Sequence, residues 1–165
     1  MNSKLDKLEE AVMADMRGAY AETVLDHAMN PRNVGTIPDA DGFAHITGPC
    51  GDTTEIWLRV KDGRIREATF WTGGCDTTIA AGSMVTELAK GKSIAQALRI
   101  TQQDVLNALV GLPEGSAHCT ILAANTLREA IKDYLAFKNE SWKRAYGKRQ
   151  RLRGGHGTKT CAPFQ

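Results

Sequence analysis

The sequence predicts an α+β domain, on three observations. A stretch of alternating apolar and polar residues, Glu55-Ile56-Trp57-Leu58-Arg59-Val60, has the period of two that marks a half-buried strand. An Asp62-Gly63 turn follows it and returns the chain as Arg64–Trp71, a hairpin partner, because Asp-Gly supplies the backbone angles a tight hairpin needs. Residues with helical spacing lie on both sides: Leu5, Leu8, Val12 and Met16 before the strands, and Leu127, Ile131 and Tyr134 after them.

In chain order, residues 4–17 read as an amphipathic helix that Gly18 interrupts. A second helix runs from about Ala19 to Met29 and stops at Asn30-Pro31, since the residue before a proline avoids the helical region. Residues 31–35 and 38–42 are loop. Phe43–Thr47 is a first candidate strand, ahead of the hairpin. After Cys75 the pattern turns helical, with Asp76, Thr77 and Thr78 as capping-type residues before Ile79, Met84, Val85 and Leu88. Lys90-Gly91-Lys92 closes that helix. Ser93 caps a short turn through Ala97, and Gln102–Leu109 is another short helix. Gly111–Gly115 is a breaker loop, and Cys119 opens a long helix to at least Phe137, with Tyr146 as its furthest end.

Length and composition set the class. A chain of 165 residues favours one domain with a core of its own. No apolar run nears the roughly 20 residues of a membrane helix, and the N-terminus lacks a signal-peptide core. The reading is therefore a cytoplasmic protein with no membrane partner, whose four cysteines are reduced and free for metal or sulfur chemistry. Net charge is +2, but residues 138–165 hold eight Lys and Arg against one acid, leaving −5 on the rest. The basic excess is a tail and not a groove, so nucleic acid is not an expected partner. The expected division is an N-terminal helical extension (1–18), a main domain (19–146) and a flexible basic tail (147–165).

The chemistry gathers around Gly48-Pro49-Cys50-Gly51-Asp52, where a soft thiolate and a hard carboxylate stand two residues apart. The hairpin brings this loop close to Gly74-Cys75, because both lie at its open end. Cys119, preceded by His118, adds a third cysteine. No pair has the CxxC spacing of a zinc knuckle, so the inventory of Cys50, Asp52, Cys75, His118 and Cys119 rests on convergence. Cys75 and Cys119 each fall at an expected helix N-terminus, which favours the thiolate. The competing readings are plain ones: a buried cysteine, a turn aspartate, a histidine that caps its helix. His27, His45, Trp57 and Trp71 read as structural, Arg32 and Asn33 as fixing a loop over the site or solvating it, and Cys161 as part of the tail. A structural zinc module is the alternative: it would use the same cysteines but need no labile Asp52, and it would hold metal permanently and receive no sulfur.

Taken in order, Asp26-His27, Asn30–Gly35, Cys50-Gly51-Asp52, Gly74-Cys75, Val85-Thr86-Glu87, Lys90–Ser93 and His118-Cys119 resemble the IscU/NifU-type iron–sulfur cluster assembly scaffolds, over about Tyr20 to Ala136. The resemblance implies a three-stranded antiparallel sheet packed against several helices. It implies a scaffold, not a classical enzyme, that builds a transient [2Fe–2S] cluster from iron and sulfur and hands it on. Cys50, Cys75 and Cys119 match the family's cluster cysteines, Asp52 its aspartate and His118 its histidine, and Cys119 is the implied persulfide acceptor. Implied partners are a pyridoxal-phosphate cysteine desulfurase, a ferredoxin-type electron donor and apo iron–sulfur acceptor proteins, with zinc able to occupy the apo site. An Hsp70-type chaperone is the partner the sequence supports least. The family often has Leu-Pro-Pro-Val-Lys before the histidine, and here Leu112-Pro113-Glu114-Gly115-Ser116 keeps only Leu-Pro. The insert of the SufU branch, and its loss of the histidine, are not seen.

Overall fold

A computed structural model describes residues 3–19, 21–110 and 112–140. Its elements are α1 (Ser3–Ala19), α2 (Glu22–Met29), β1 (Gly42–Thr47), β2 (Thr53–Lys61), β3 (Arg64–Thr72), α3 (Asp76–Ala89), α4 (Ile94–Ala97), α5 (Gln102–Leu109), a 3₁₀ turn (Glu114–Ser116) and α6 (Ala117–Asn139). The basic tail, Cys161 and the extension of α6 to Tyr146 lie outside the described residues.

The three strands form one antiparallel sheet in the order β1-β2-β3, as the α+β reading requires. Period-two alternation decides which face is buried. Ala44 and Ile46 of β1, Thr54, Ile56 and Leu58 of β2, and Ile65, Ala68 and Phe70 of β3 point into the core. The alternate residues face outward, where Phe43 and Trp57 meet with ring centroids 5.2 Å apart. Trp57 therefore packs on Phe43. Trp71 pairs with Glu55 and is 48% exposed. Asp62 and Gly63 both have positive φ (55° and 72°), the pair of angles a two-residue type I′ hairpin needs.

Helices α3 and α6 cover the buried face, α6 across β1 and β2 and α3 against β3. The approach is close. A Cβ on Gly82 of α3 would lie 2.5 Å from the buried ring of Phe70, so this position excludes any side chain. Val85, Leu127, Ile131 and Ala130 complete the interior between the two helices. The caps of α4 and α5 are full capping boxes, Ser93 with Gln96 and Thr101 with Asp104, each satisfying two otherwise orphaned N–H groups.

Four expectations are corrected. Gly18 does not break the first helix, which runs through it to Ala19, and the second begins at Glu22. One glycine costs a helix only about 1 kcal/mol, too little to stop it alone. On that helix Leu8 and Val12 are exposed. Asp76, Thr77 and Thr78 do not cap α3. Cys75 occupies the cap position without a capping bond from its side chain to the backbone, and both threonines are buried within the first turn. Cys119 does not open α6, which starts two residues earlier at Ala117. Finally, Arg32 and Asn33 fix a loop, but not over the cysteines. Arg32 pairs with Asp26 at 2.6 Å, and Asn33 bonds Thr86, Glu87 and Lys90. Thr86 and Glu87 of α3, and Lys90 just beyond it, lie at least two turns, about 12 Å, along the helix direction from Thr78. The backbone of Asn33 and Gly35 bonds Phe70, so the loop guards the free edge of β3. His27, bonded to Ser83 Oγ at 2.8 Å, and His45, paired with Glu55 at 2.7 Å, are structural as expected.

Candidate metal centre

The open end of the hairpin, the first turn of α3 and the first turn of α6 meet at one place. The β1–β2 loop reverses there: Gly51 takes φ +87°, and its N–H bonds Gly48 O at 3.0 Å. The Gly48 N–H bonds Asp52 O at 2.7 Å, which fixes Asp52 at the head of β2. Across the hairpin, Thr72 Oγ1 donates to Thr53 O at 2.6 Å and accepts the Gly74 N–H at 3.1 Å. These bonds hold the two cysteine-bearing loops in register.

Asp52 crosses from one loop to the other. Its Oδ2 accepts the Cys75 N–H at 3.4 Å and the Thr78 hydroxyl at 2.6 Å. Gly74 makes room for this. A Cβ there would lie 2.6 Å from Asp52 Oδ2, 2.8 Å from Asp52 Cγ and 2.9 Å from Thr78 Cβ. Ligand atoms of Asp52, Cys75 and Cys119 all lie within 4.8 Å of one another, close enough to share one ion. Cys50 is exposed and sits outside that tight group, two residues before Asp52 on the same loop. His118 is further out. It lines an apolar groove with Ile46, Gly48, Pro49, Ile121, Leu122 and Asn125. Of the five residues the sequence singled out, three are thus brought together, Cys50 precedes them on the Asp52 loop, and His118 is beside the site.

The electrostatics differ from one sulfur to the next. The Thr78 hydroxyl holds the Asp52 carboxyl below its usual range; burial opposes this, and the Cys75 N–H adds to it. For Cys75, burial works against the thiolate. The hydroxyls of Thr78 and Thr77 and their backbone amides outweigh it, so its pKa is lowered. Cys119 behaves oppositely. Burial pushes its thiol up to about 11, and proximity to Cys75 and Cys50 adds to the rise, against the Thr78 hydroxyl. The expectation of a reachable Cys119 thiolate, favoured by a helix N-terminus, is therefore corrected for this conformation. The residue is 1% exposed, and desolvation exceeds the pull of the helix dipole.

Thr77 and Thr78 are the site residues that the sequence reading missed. Their sequence context is that of caps, yet both hydroxyls lie 3.5 Å from Cys75 Sγ, and Thr78 Oγ1 also lies 3.4 Å from Cys119 Sγ. The available signal was position. Residues two and three beyond a helix N-cap cysteine lie in the same first turn as its sulfur.

Residues 19–141 match the family described as NifU-like N terminal domain. The chain is 53% identical over 116 residues to "Iron-sulfur cluster assembly scaffold protein IscU 1" of Archaeoglobus fulgidus, covering 70% of this chain and 76% of that one. It is 43% identical over 121 residues to "Iron-sulfur cluster assembly scaffold protein IscU" of Escherichia coli K12, covering 70% and 94%. Among solved structures, a nitrogen-fixing NifU-like protein (N-terminal) from Brucella abortus superposes with a TM-score of 0.61 at 17% identity, over 72% of this chain and 95% of that one. That last likeness supports the fold alone.

Proposed function

The chain belongs to the NifU-like N-terminal domain family, and on that premise we propose that it is an iron–sulfur cluster assembly scaffold. The cargo is a transient [2Fe–2S] cluster, built from iron and desulfurase-derived sulfur and passed to apo-proteins of the cytoplasm. One observation carries this reading: two cysteines and an aspartate, from three separate segments, bring their ligand atoms within 4.8 Å at one sheet edge. Cys50, exposed on the loop that carries Asp52, supplies the third sulfur.

The donor set suits temporary custody. Thiolates hold iron–sulfur clusters well, and a carboxylate is the harder, more readily exchanged ligand. Asp52 is the proposed fourth ligand because its oxygen already lies among the sulfurs, and His118 does not. Zinc, which also accepts this set, is the expected occupant when no sulfur is supplied.

Sulfur arrives as a persulfide on a pyridoxal-phosphate cysteine desulfurase, and the acceptor on this chain is Cys119. Its thiolate attacks the outer sulfur of the donor persulfide. A new S–S bond forms on Cys119, the donor's S–S bond breaks, and the donor cysteine leaves as thiolate; no net electrons are consumed. Releasing that sulfur as sulfide takes two electrons, which is the place of a ferredoxin-type donor. Because Cys119 is buried, delivery requires the first turn of α6 and the 3₁₀ turn before it to move.

Anaerobic incubation with iron, cysteine and a desulfurase tests the proposal. The expected product carries iron and acid-labile sulfide in equal amounts, and mass spectrometry before iron is added finds the extra sulfur on Cys119. Tightly held zinc with no sulfide would favour a structural zinc module. Sulfur found consistently on Cys75, with Cys119 unmodified, would overturn the acceptor assignment.

A further inference from the structure

The residue at the centre of the ligand group is not itself a ligand. Thr78 is 1% exposed, and its hydroxyl reaches Asp52 Oδ2 at 2.6 Å, Cys119 Sγ at 3.4 Å and Cys75 Sγ at 3.5 Å. A hydroxyl has one proton to give and two lone pairs to receive with. It cannot donate to all three neighbours. The length of the contact to Asp52 is that of an O–H···O⁻ bond, the strongest kind available here, so the proton goes to the carboxylate. The two sulfurs, at 3.4 and 3.5 Å, are the weaker partners of the same hydroxyl.

We propose that Thr78 is a positioning residue, whose hydroxyl fixes Asp52 among the sulfurs before any metal arrives. The inference rests on the metal-site reading above and adds a residue to it. Without such an anchor Asp52 would be loosely placed. It follows Gly51 at the exposed tip of a loop, and the carboxylate of an aspartate has two free torsions. Three features remove that freedom. Gly74 lacks the Cβ that would strike the carboxylate at 2.6 Å, the Cys75 N–H holds Oδ2 from the helix side, and Thr78 holds the same oxygen from below. With both bonds on Oδ2, the second oxygen stays available for metal. Threonine suits the task better than serine, because its branched Cβ limits χ1 within a helix.

The test uses the full chain and Co²⁺ alone, whose thiolate-bound absorption reports the ligand set. Thr78→Val keeps the shape and removes the hydroxyl. Its affinity for Co²⁺ should fall about 10- to 100-fold, the usual effect of losing a partner that orients a metal ligand. Thr78→Ser should recover affinity to within about threefold of the parent. The decisive arm repeats Thr78→Val in an Asp52→Ala background, where the loss should shrink to less than about threefold because the anchored group is gone. An equal loss in both backgrounds would mean general damage to α3 and overturn the proposal, as would a Thr78→Val chain that binds Co²⁺ like the parent. Should Thr78→Val not fold, as judged by circular dichroism, Thr78→Ala takes its place in both backgrounds under the same criteria. A parent chain that binds no Co²⁺ at all would instead sink the metal-site reading, and Thr78's role with it.

Discussion

Gly74→Ala separates the metal site from the fold. The added methyl would stand 2.6 Å from Asp52 Oδ2 and 2.9 Å from Thr78 Cβ. Carbon and its neighbours settle at about 3.5 Å, so the carboxylate must retreat by about 0.9 Å. Added to a 2.6 Å bond, a retreat of that size is enough to break the link to Thr78. A hydrogen bond to a charged group contributes about 1.5–3 kcal/mol. If all of it appeared in metal binding, Co²⁺ affinity would drop by about 10- to 150-fold. Stability should move little. Asp52 is only partly buried, so water can replace the lost partner, and exchanging glycine for alanine recovers about 0.4–1 kcal/mol from the unfolded chain. Urea unfolding should therefore stay within about 1 kcal/mol of the parent. Gly73→Ala is the control, since a Cβ there first meets the Trp71 ring at an ordinary 3.4 Å. A Gly74→Ala chain that binds Co²⁺ as tightly as Gly73→Ala would refute the reasoning.

Other outcomes follow from the same geometry. Gly82→Ala forces a methyl to within 2.5 Å of the buried Phe70 ring and should cost about 1–3 kcal/mol in urea, with an unchanged slope, despite alanine's better helix propensity. His27 is buried, and desolvation lowers its pKa. The unfolded chain takes up this proton below about pH 6.5 and the folded chain does not. Stability is thus fully present above the unfolded value near pH 6.5 and declines as pH falls below it toward the lower folded value, and His27→Asn should flatten that slope in urea titrations. Asp52→Ala should leave the assembled cluster longer-lived on the scaffold and slow its transfer, because the exchangeable oxygen is gone. Side-by-side absorbance decay and transfer rates check this, and faster decay with unslowed transfer would contradict it.

The elements were legible where local chemistry decides them. The alternation of β2, the Asp62-Gly63 turn, the Ser93 cap and the bounds of α5 all follow from patterns a few residues long. So did the meeting of Asp52 and Cys75, because a hairpin fixes where its own ends lie. The rest needed tertiary packing. Helix α1 runs through Gly18 because a propensity difference near 1 kcal/mol is small beside continuous backbone bonding. Thr77 and Thr78 suggest caps on polarity alone, and only the meeting of α3's first turn with the cysteine loops places their hydroxyls beside sulfur. Cys119 had the sequence context of a helix start, yet its burial under α3 and the sheet reverses the sign of its pKa shift. Which of Asp52 and His118 stands nearer the sulfurs was likewise a question of side-chain reach, which spacing along the chain does not encode.

The central claim is that this site holds its cluster only to give it away. The direct measurement mixes the reconstituted chain with an apo-ferredoxin, which offers four cysteines, and follows both proteins after rapid separation. The account predicts that iron and sulfide leave together, the ferredoxin gains its own spectrum, and the scaffold is recovered free of sulfide. A cluster that stays on this chain while the apo-ferredoxin remains empty would contradict it.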